Sequence, residues 1–313
     1  MATTENKNLP YEIVGTLKPF PQRMTVFSRV QWDKTCIGYG KKGHSTTKGN
    51  PGYSRVEIAL QSASRTIQSK VGYSKEETKD AERYEPQDVS EFTAQVKNAA
   101  RLYGAAVVGT CQLNPLWLYA DDQGESVSLP AGVDKAIVIA VEMAREWVAL
   151  SPTAGGAAAT GNGYSKMAFT AACMAEFLRN LGWQAMACGN DTALSIPLAI
   201  DAGLGECGRN GSLITHQFGP RVRLCKVLTD APLQLDEPIE FGVVKYCENC
   251  QKCAEACPAQ AISSGERTIE GVCPSNNSGV LKWHTHAEKC LNFWRVNGVS
   301  CMNCIKSCPF SNV

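Results

Sequence analysis

A chain of 313 residues is long enough to bury one large core or two smaller ones. Its 31 Lys and Arg nearly balance 30 Asp and Glu, so no global field recruits nucleic acid or an anionic membrane surface. No run of 18 apolar residues is present to span a bilayer, and 15 cysteines in a chain of this size suggest ligands and buried thiols rather than a disulfide framework.

The opening MATTENKNLP is polar, without an apolar stretch or twin arginine, so no export signal is expected in it. Residues 1–87 show weak periodicity; 39–44 and 48–52 read as loops, 55–70 as a helix, and the whole as a covering segment. The pattern then sharpens. Val89, Phe92, Val96, Ala99, Ala100 and Tyr103 recur at helical spacing, with Ser90 placed to cap and Gly104 to stop the helix. Residues 105–108, 136–141, 183–188 and 222–228 read as strands, the second apolar enough for burial on both faces. A helix is expected from Tyr164 to Leu181, closed by Gly182, and a short one from Ser195, with serine capping and Pro197 in the first turn. Strands alternating with helices over 88–240 indicate an α+β or α/β core, with a cysteine-rich module at 241–313 behind it.

That module carries the clearest chemistry. Cys247, Cys250, Cys253 and Cys257-Pro258 form C-x2-C-x2-C-x3-C-P, and Cys290 precedes Cys301, Cys304 and Cys308-Pro309. In two-cluster ferredoxins the fourth cysteine of each run ligates the other cluster. Cluster one is therefore assigned to Cys247, Cys250, Cys253 and Cys308, and cluster two to Cys257, Cys290, Cys301 and Cys304. Ten residues separate Cys290 from Cys301, so the first ligand of cluster two is looped out. Structural zinc also uses C-x2-C pairs, but the C-P ending of both runs favours [4Fe–4S]. The other seven cysteines (Cys36, Cys111, Cys173, Cys188, Cys207, Cys225, Cys273) read as buried thiols.

Gly203-Leu-Gly205-Glu-Cys-Gly208 matches G-x-G-x-x-G by letters, but a helical segment precedes it and a strand-like one follows, the reverse of a dinucleotide site. It reads as a glycine turn. His284 and His286 read as alternate faces of a strand and supply no metal set.

Several stretches taken together resemble the catalytic subunit of corrinoid iron–sulfur reductive dehalogenases. They are Thr25-Val-Phe-Ser-Arg-Val-Gln-Trp-Asp33, residues 157–167 with Gly163-Tyr-Ser-Lys-Met167, Gly189-Asn190, 202–211, 213–224, 229–233, Asn276-Asn-Ser-Gly279 through Trp283, and both cysteine runs. The resemblance covers about 88–311, and 10–35 more thinly. It implies a nitroreductase-like corrinoid-binding core with a C-terminal ferredoxin-like two-[4Fe–4S] module, and reductive removal of halide from a small organohalide. Residue by residue it implies Tyr164 as proton donor with Arg223 and Asn190 beside it, and Met167, Asn190 and Tyr164 at the corrinoid. Trp294, and Trp32 from the front segment, would wall the substrate pocket. Ile214 stands where a D-x-H-x-x-G loop has its aspartate, so His216 is not expected to ligate cobalt.

The resemblance also implies a low-potential electron donor, a small membrane-anchor subunit and export to the outer face of the cytoplasmic membrane; otherwise the protein would be cytoplasmic. The sequence departs from the family in lacking a twin-arginine leader, in a short front segment and in ending five residues after Cys308. Two rival readings stand: an epoxyqueuosine reductase acting on tRNA, expected to show a basic surface and an acidic residue in place of Tyr164, and a ferredoxin-type electron carrier without chemistry of its own.

Overall fold

The front of the chain is laid along the rest of the molecule. In the computed structural model, which describes residues 11–41, 54–71 and 82–312, strand β1 (Phe20–Pro21) and helices α1 (Val26–Trp32), α2 (Arg55–Ala63) and α3 (Thr66–Val71) form this part. The span expected as one helix is thus two, broken at Ser64 and Arg65; the expected loops fall partly or wholly within 42–53, outside the described residues. Val14 N–H donates to the Gly279 carbonyl (2.9 Å), and buried Arg29 of α1 pairs with Asp33 and Glu288 (both 2.5 Å). The segment is therefore tied to the C-terminal module as well as to the core.

The core begins with α4 (Val89–Leu102), whose cap is Asp88 rather than Ser90: its Oδ1 accepts from the Ser90 and Glu91 N–H groups (2.7 and 3.1 Å). Gly104, at φ +105°, lets the chain leave the helix. Strands follow at β2 (Val107–Gln112), β3 (Tyr119–Ala120, paired with β1) and β4 (Lys135–Glu142), then α5 (Arg145–Val148), α6 (Ala154–Asn180) and β5 (Ala185–Cys188). Next come α7 (Ser195–Asp201), the short β6–β7 pair (Glu206–Cys207, Leu213–Ile214) and β8 (Val222–Thr229). The main sheet runs β2–β4–β8–β5, every neighbour antiparallel.

Strand alternation divides β4 between two layers. Ile137, Ile139 and Val141 meet α4 and α6, while Ala136, Val138 and Ala140 meet α7 and Trp117. All six are fully buried, which explains the continuous apolar run. Helices on both faces of an antiparallel sheet make the core α+β.

Helix α6 starts ten residues before Tyr164, so Tyr164 is mid-helix rather than at its start. Gly155, Gly156, Gly161 and Gly163 hid the first turns from a reading based on apolar period. Thr153 caps it, its hydroxyl accepting from Gly156 N–H (3.3 Å). Ser195 opens α7 as its first residue, with Leu194 at the cap and no side-chain bond. Behind the core lie α8 (Val243–Asn249), α9 (Lys252–Glu255), α10 (Ala287–Asn297) and α11 (Asn303–Lys306). His286 caps α10 and His284 lies in irregular chain, so neither sits on a strand.

Candidate functional site

The cysteine runs close on two separate places. Cys247 from α8, Cys250, Cys253 from α9 and Cys308 after α11 line a single cavity together with Arg209 and Phe310. Burial and then the neighbouring Cys247, Cys308 and Cys250 push the Cys253 thiol up to about 12. At the second place, burial and then Cys257 and Cys301 push Cys290 up to about 12. Cys304 is raised by burial first, with Cys290 and Cys301 next. Mutual thiol repulsion of this kind is relieved by a cation between the sulfurs, so the donor sets suit a metal cluster. Among the described residues no three His, Cys, Asp or Glu side chains draw together tightly enough for a single ion.

The surroundings are built for sulfur-bound charge. Ala261 N–H donates to Cys257 Sγ (3.3 Å), and Asn303 N–H to Cys301 Sγ (3.5 Å). Buried Arg209, from the glycine turn, donates to the carbonyls of Cys247, Glu248, Cys250, Ser263 and Gly265 at 2.7–3.3 Å. Gly205 (φ +158°) is required there, because a Cβ would lie 2.0 Å from the Ile214 carbonyl oxygen. The C-terminal tail is clasped by the turn that leads into β8: Arg221 Nε donates to Ser311 O (3.1 Å), and Gly219 lies so close that a Cβ would meet Phe310 O at 2.3 Å.

Tyr164 is half-buried on α6. Asn190, exposed at the end of β5, donates from Nδ2 to its hydroxyl (3.1 Å), and the Arg223 guanidinium carbon lies 5.0 Å from its ring centre. The three residues named for the acid site are thus together. Arg223 Nη2 also donates to Thr160 Oγ1 (3.3 Å), and Thr160 donates to Met302 Sδ (3.1 Å), next to Cys301. The buried Arg223 Nε has no partner among the described residues.

Asn190 also lines a cavity of about 610 Å³ whose walls include Tyr11, Phe27, Trp117, Tyr119, Ile196, Pro197, Asn276, Asn277, Lys282, Trp283 and His284. Apolar walls carrying a few convergent polar groups suit a large ligand. His284 Nε2 bonds Thr268 O (3.1 Å), but its buried Nδ1 has no partner among the described residues. Burial, the larger influence, and Lys282 lower its pKa, so it stays neutral, able to accept or donate toward a guest. The residues therefore fit a bulky amide-bearing cofactor.

Other expectations fare differently. Met167 is fully buried in the core among α4, α6 and the sheet, where it packs rather than faces the cavity. Trp294 lies 5.9 Å from the ring of Phe27, one layer behind the cavity wall, while Trp32 is exposed, under the Arg23 guanidinium at 4.5 Å. His216 is exposed, its ring edge-on to Phe241 at 5.4 Å. Arg209, Lys226, Arg65 and the cavity walls escaped sequence reading, although Arg209 sits in the glycine turn and Asn276 and Asn277 in a stretch already singled out.

The 4Fe-4S double cluster binding domain matches residues 246–311. The chain is 36% identical over 259 residues to the tetrachloroethene reductive dehalogenase of Sulfurospirillum multivorans, covering 72% of this chain and 51% of that one. The solved catabolic reductive dehalogenase NpRdhA, in complex with 3-bromo-4-hydroxybenzoic acid, superposes with a TM-score of 0.74 at 25% identity, over 96% of this chain and 43% of that one. A further reductive dehalogenase structure, described as suggesting a mechanism for B12-dependent dehalogenation, superposes with a TM-score of 0.72 at 25% identity, over 96% and 43% of the two chains. The chain thus spans about half the length of the curated relative. On sequence and fold together, over the part it shares with them, this chain is similar to the reductive dehalogenases.

Proposed function

We propose that the chain reductively dehalogenates a small organohalide, R–X plus two electrons and a proton giving R–H plus halide. The observation that carries this reading is the Asn190–Tyr164 hydrogen bond with Arg223 against the ring, at the edge of the 610 Å³ cavity. Corrinoid, when bound, supplies the cobalt chemistry that parts carbon from halogen, and the two clusters supply electrons singly. Asn276, Asn277, Lys282 and His284 are the groups that would hold the corrinoid in the cavity. Cys247, Cys250, Cys253 and Cys308 would hold one cluster, and Cys257, Cys290, Cys301 and Cys304 the other.

Tyr164 is the proton donor. The guanidinium beside the ring places a positive charge against the phenolate left behind by proton transfer. Asn190 fixes the hydroxyl's direction, and Phe27, backed by Trp294, offers an apolar wall for the carbon skeleton. A low-potential donor and a small membrane-anchor subunit are the partners this reading entails. Tyr164 also favours it over epoxyqueuosine reduction, for which the family resemblance implies an acidic residue at that position.

The test is protein reconstituted with corrinoid and clusters and assayed for halide release. Tyr164→Phe removes one half-exposed hydroxyl, so iron and cobalt contents should stay at parent level while turnover falls by about 10²–10⁴-fold. Parent-like turnover with full cofactor content would remove Tyr164 from the mechanism.

A further inference from the structure

Two glycines, Gly161 and Gly163, stand just before Tyr164 in the sequence of α6, and each makes room for a different arginine. At Gly163 a Cβ would lie 2.8 Å from Arg223 Cγ. At Gly161 it would lie 2.0 Å from Ser64 Oγ and 3.1 Å from Arg65 Cγ. The break between α2 and α3 is therefore pressed into the helix one turn before Tyr164. Ser165 fastens it there, donating from Oγ to Ser64 O (2.7 Å) and accepting from Gln68 N–H (3.4 Å).

The result is a second guanidinium on the phenol. The Arg65 guanidinium carbon lies 4.9 Å from the Tyr164 ring centre, against 5.0 Å for Arg223. Gln68 Oε1 accepts from Arg65 Nη1 (3.1 Å) and steadies it without neutralising it. Among the described residues the charged groups at the ring are Arg65 from the α2–α3 turn and Arg223 from β8; the side chain at its hydroxyl is the neutral Asn190.

We propose that Arg65 is a positioning residue for proton donation, a second cation that shares with Arg223 the stabilisation of the Tyr164 phenolate. This rests on the reading of Tyr164 as the acid. Two like charges held near one neutral phenol repel each other, and loss of the phenolic proton places an anion between their fields. Burial chiefly, and Arg223 to a smaller degree, depress the Arg65 guanidinium, while Tyr164 acts in the opposite sense, so the three groups are coupled. Arg65 remains charged throughout the neutral range.

The experiment places 3-fluorotyrosine at position 164 in protein carrying both clusters and corrinoid, and follows its fluorine resonance as pH is raised. Arg65→Gln, which keeps length and drops charge, should move the phenol midpoint up by about one pH unit, the low end expected for a partly exposed pair. Arg65→Lys should stay close to the parent, and Arg65→Gln with Arg223→Gln should move further than either alone. Halide release by unlabelled Arg65→Gln should show a lower kcat with KM little changed. Gly161→Ala gives an independent route, since it displaces the turn while leaving Arg65 in the chain; its midpoint should move in the same direction. A midpoint that Arg65→Gln and Gly161→Ala leave in place, while Arg223→Gln moves it, overturns the proposal. Failure of the acid reading itself is seen separately, as parent-like turnover of Tyr164→Phe.

Discussion

Lys226 is fully buried in β8, with its ammonium turned onto the loop that carries Asn190. It donates to Gly189 O (2.7 Å), Ala193 O (2.5 Å) and Ser195 Oγ (3.1 Å), so one cation closes the β5–α7 connection. Replacing it by Met keeps the bulk but leaves two buried carbonyls unsatisfied, at a cost of about 3 kcal/mol. Lys226→Met should unfold at lower urea and lose turnover with Asn190, while iron content persists. The pH dependence follows from burial, which pulls the ammonium down to about 8. Between about 8 and the unfolded value near 10.4 the unfolded chain holds a proton that the folded chain lacks, so stability rises with pH there. That rise, at most about 1.4 kcal/mol per pH unit, should be absent from urea titrations of Lys226→Met. A lysine inside an apolar strand carries no sequence mark of its buried state, because its partners, two loop carbonyls and the Ser195 hydroxyl, lie 31 to 37 residues away.

At the scale of elements, the two cysteine runs cross between α9 and α11. Cys257 follows α9 but belongs electrostatically with Cys290, and Cys308 follows α11 but lines the cavity of Cys247. Cys257→Ser should therefore cost about four iron, from the cluster beside Met302, and leave the cluster at Cys247 detectable by paramagnetic resonance. Cys273, whose thiol meets Asn276 Oδ1 (3.5 Å), should be replaceable by Ser with no iron lost. The two groupings of cysteines were legible because cluster chemistry dictates such spacing. Helix α6 was legible only from Tyr164 onward: its earlier half is glycine and alanine, chosen for close approach to Leu150, Ser64 and Arg223, and close approach leaves no apolar rhythm. The cap of α4 slipped by two residues because Asp88 and Ser90 are both good caps, and only geometry separates them.

Across the whole molecule, the layers were readable and the cavity was not. Apolar runs such as 136–141 announce a buried sheet, since each strand carries its own period. The cavity draws Tyr11, Phe27, Trp117, Asn190, Pro197, Asn276 and Trp283 from separate regions of the chain, so no local pattern betrays it. Of the residues the resemblance named, Tyr164, Asn190 and Arg223 lie together, while Met167 is buried against the sheet.

The crossing of the runs also sets an order of events. Each proposed quartet takes one or two members from beyond residue 300, and Arg221 and Gly219 grip the tail that follows Cys308. During synthesis a nascent chain that has not yet emerged past Cys304 holds neither complete set, and one short of Cys308 lacks the first, however well its sheet has formed. Metallation thus acts as a checkpoint on late chain growth: a product cut after Gly298 should fold its core, bind almost no iron by metal analysis, and be told apart from the intact chain by colour alone.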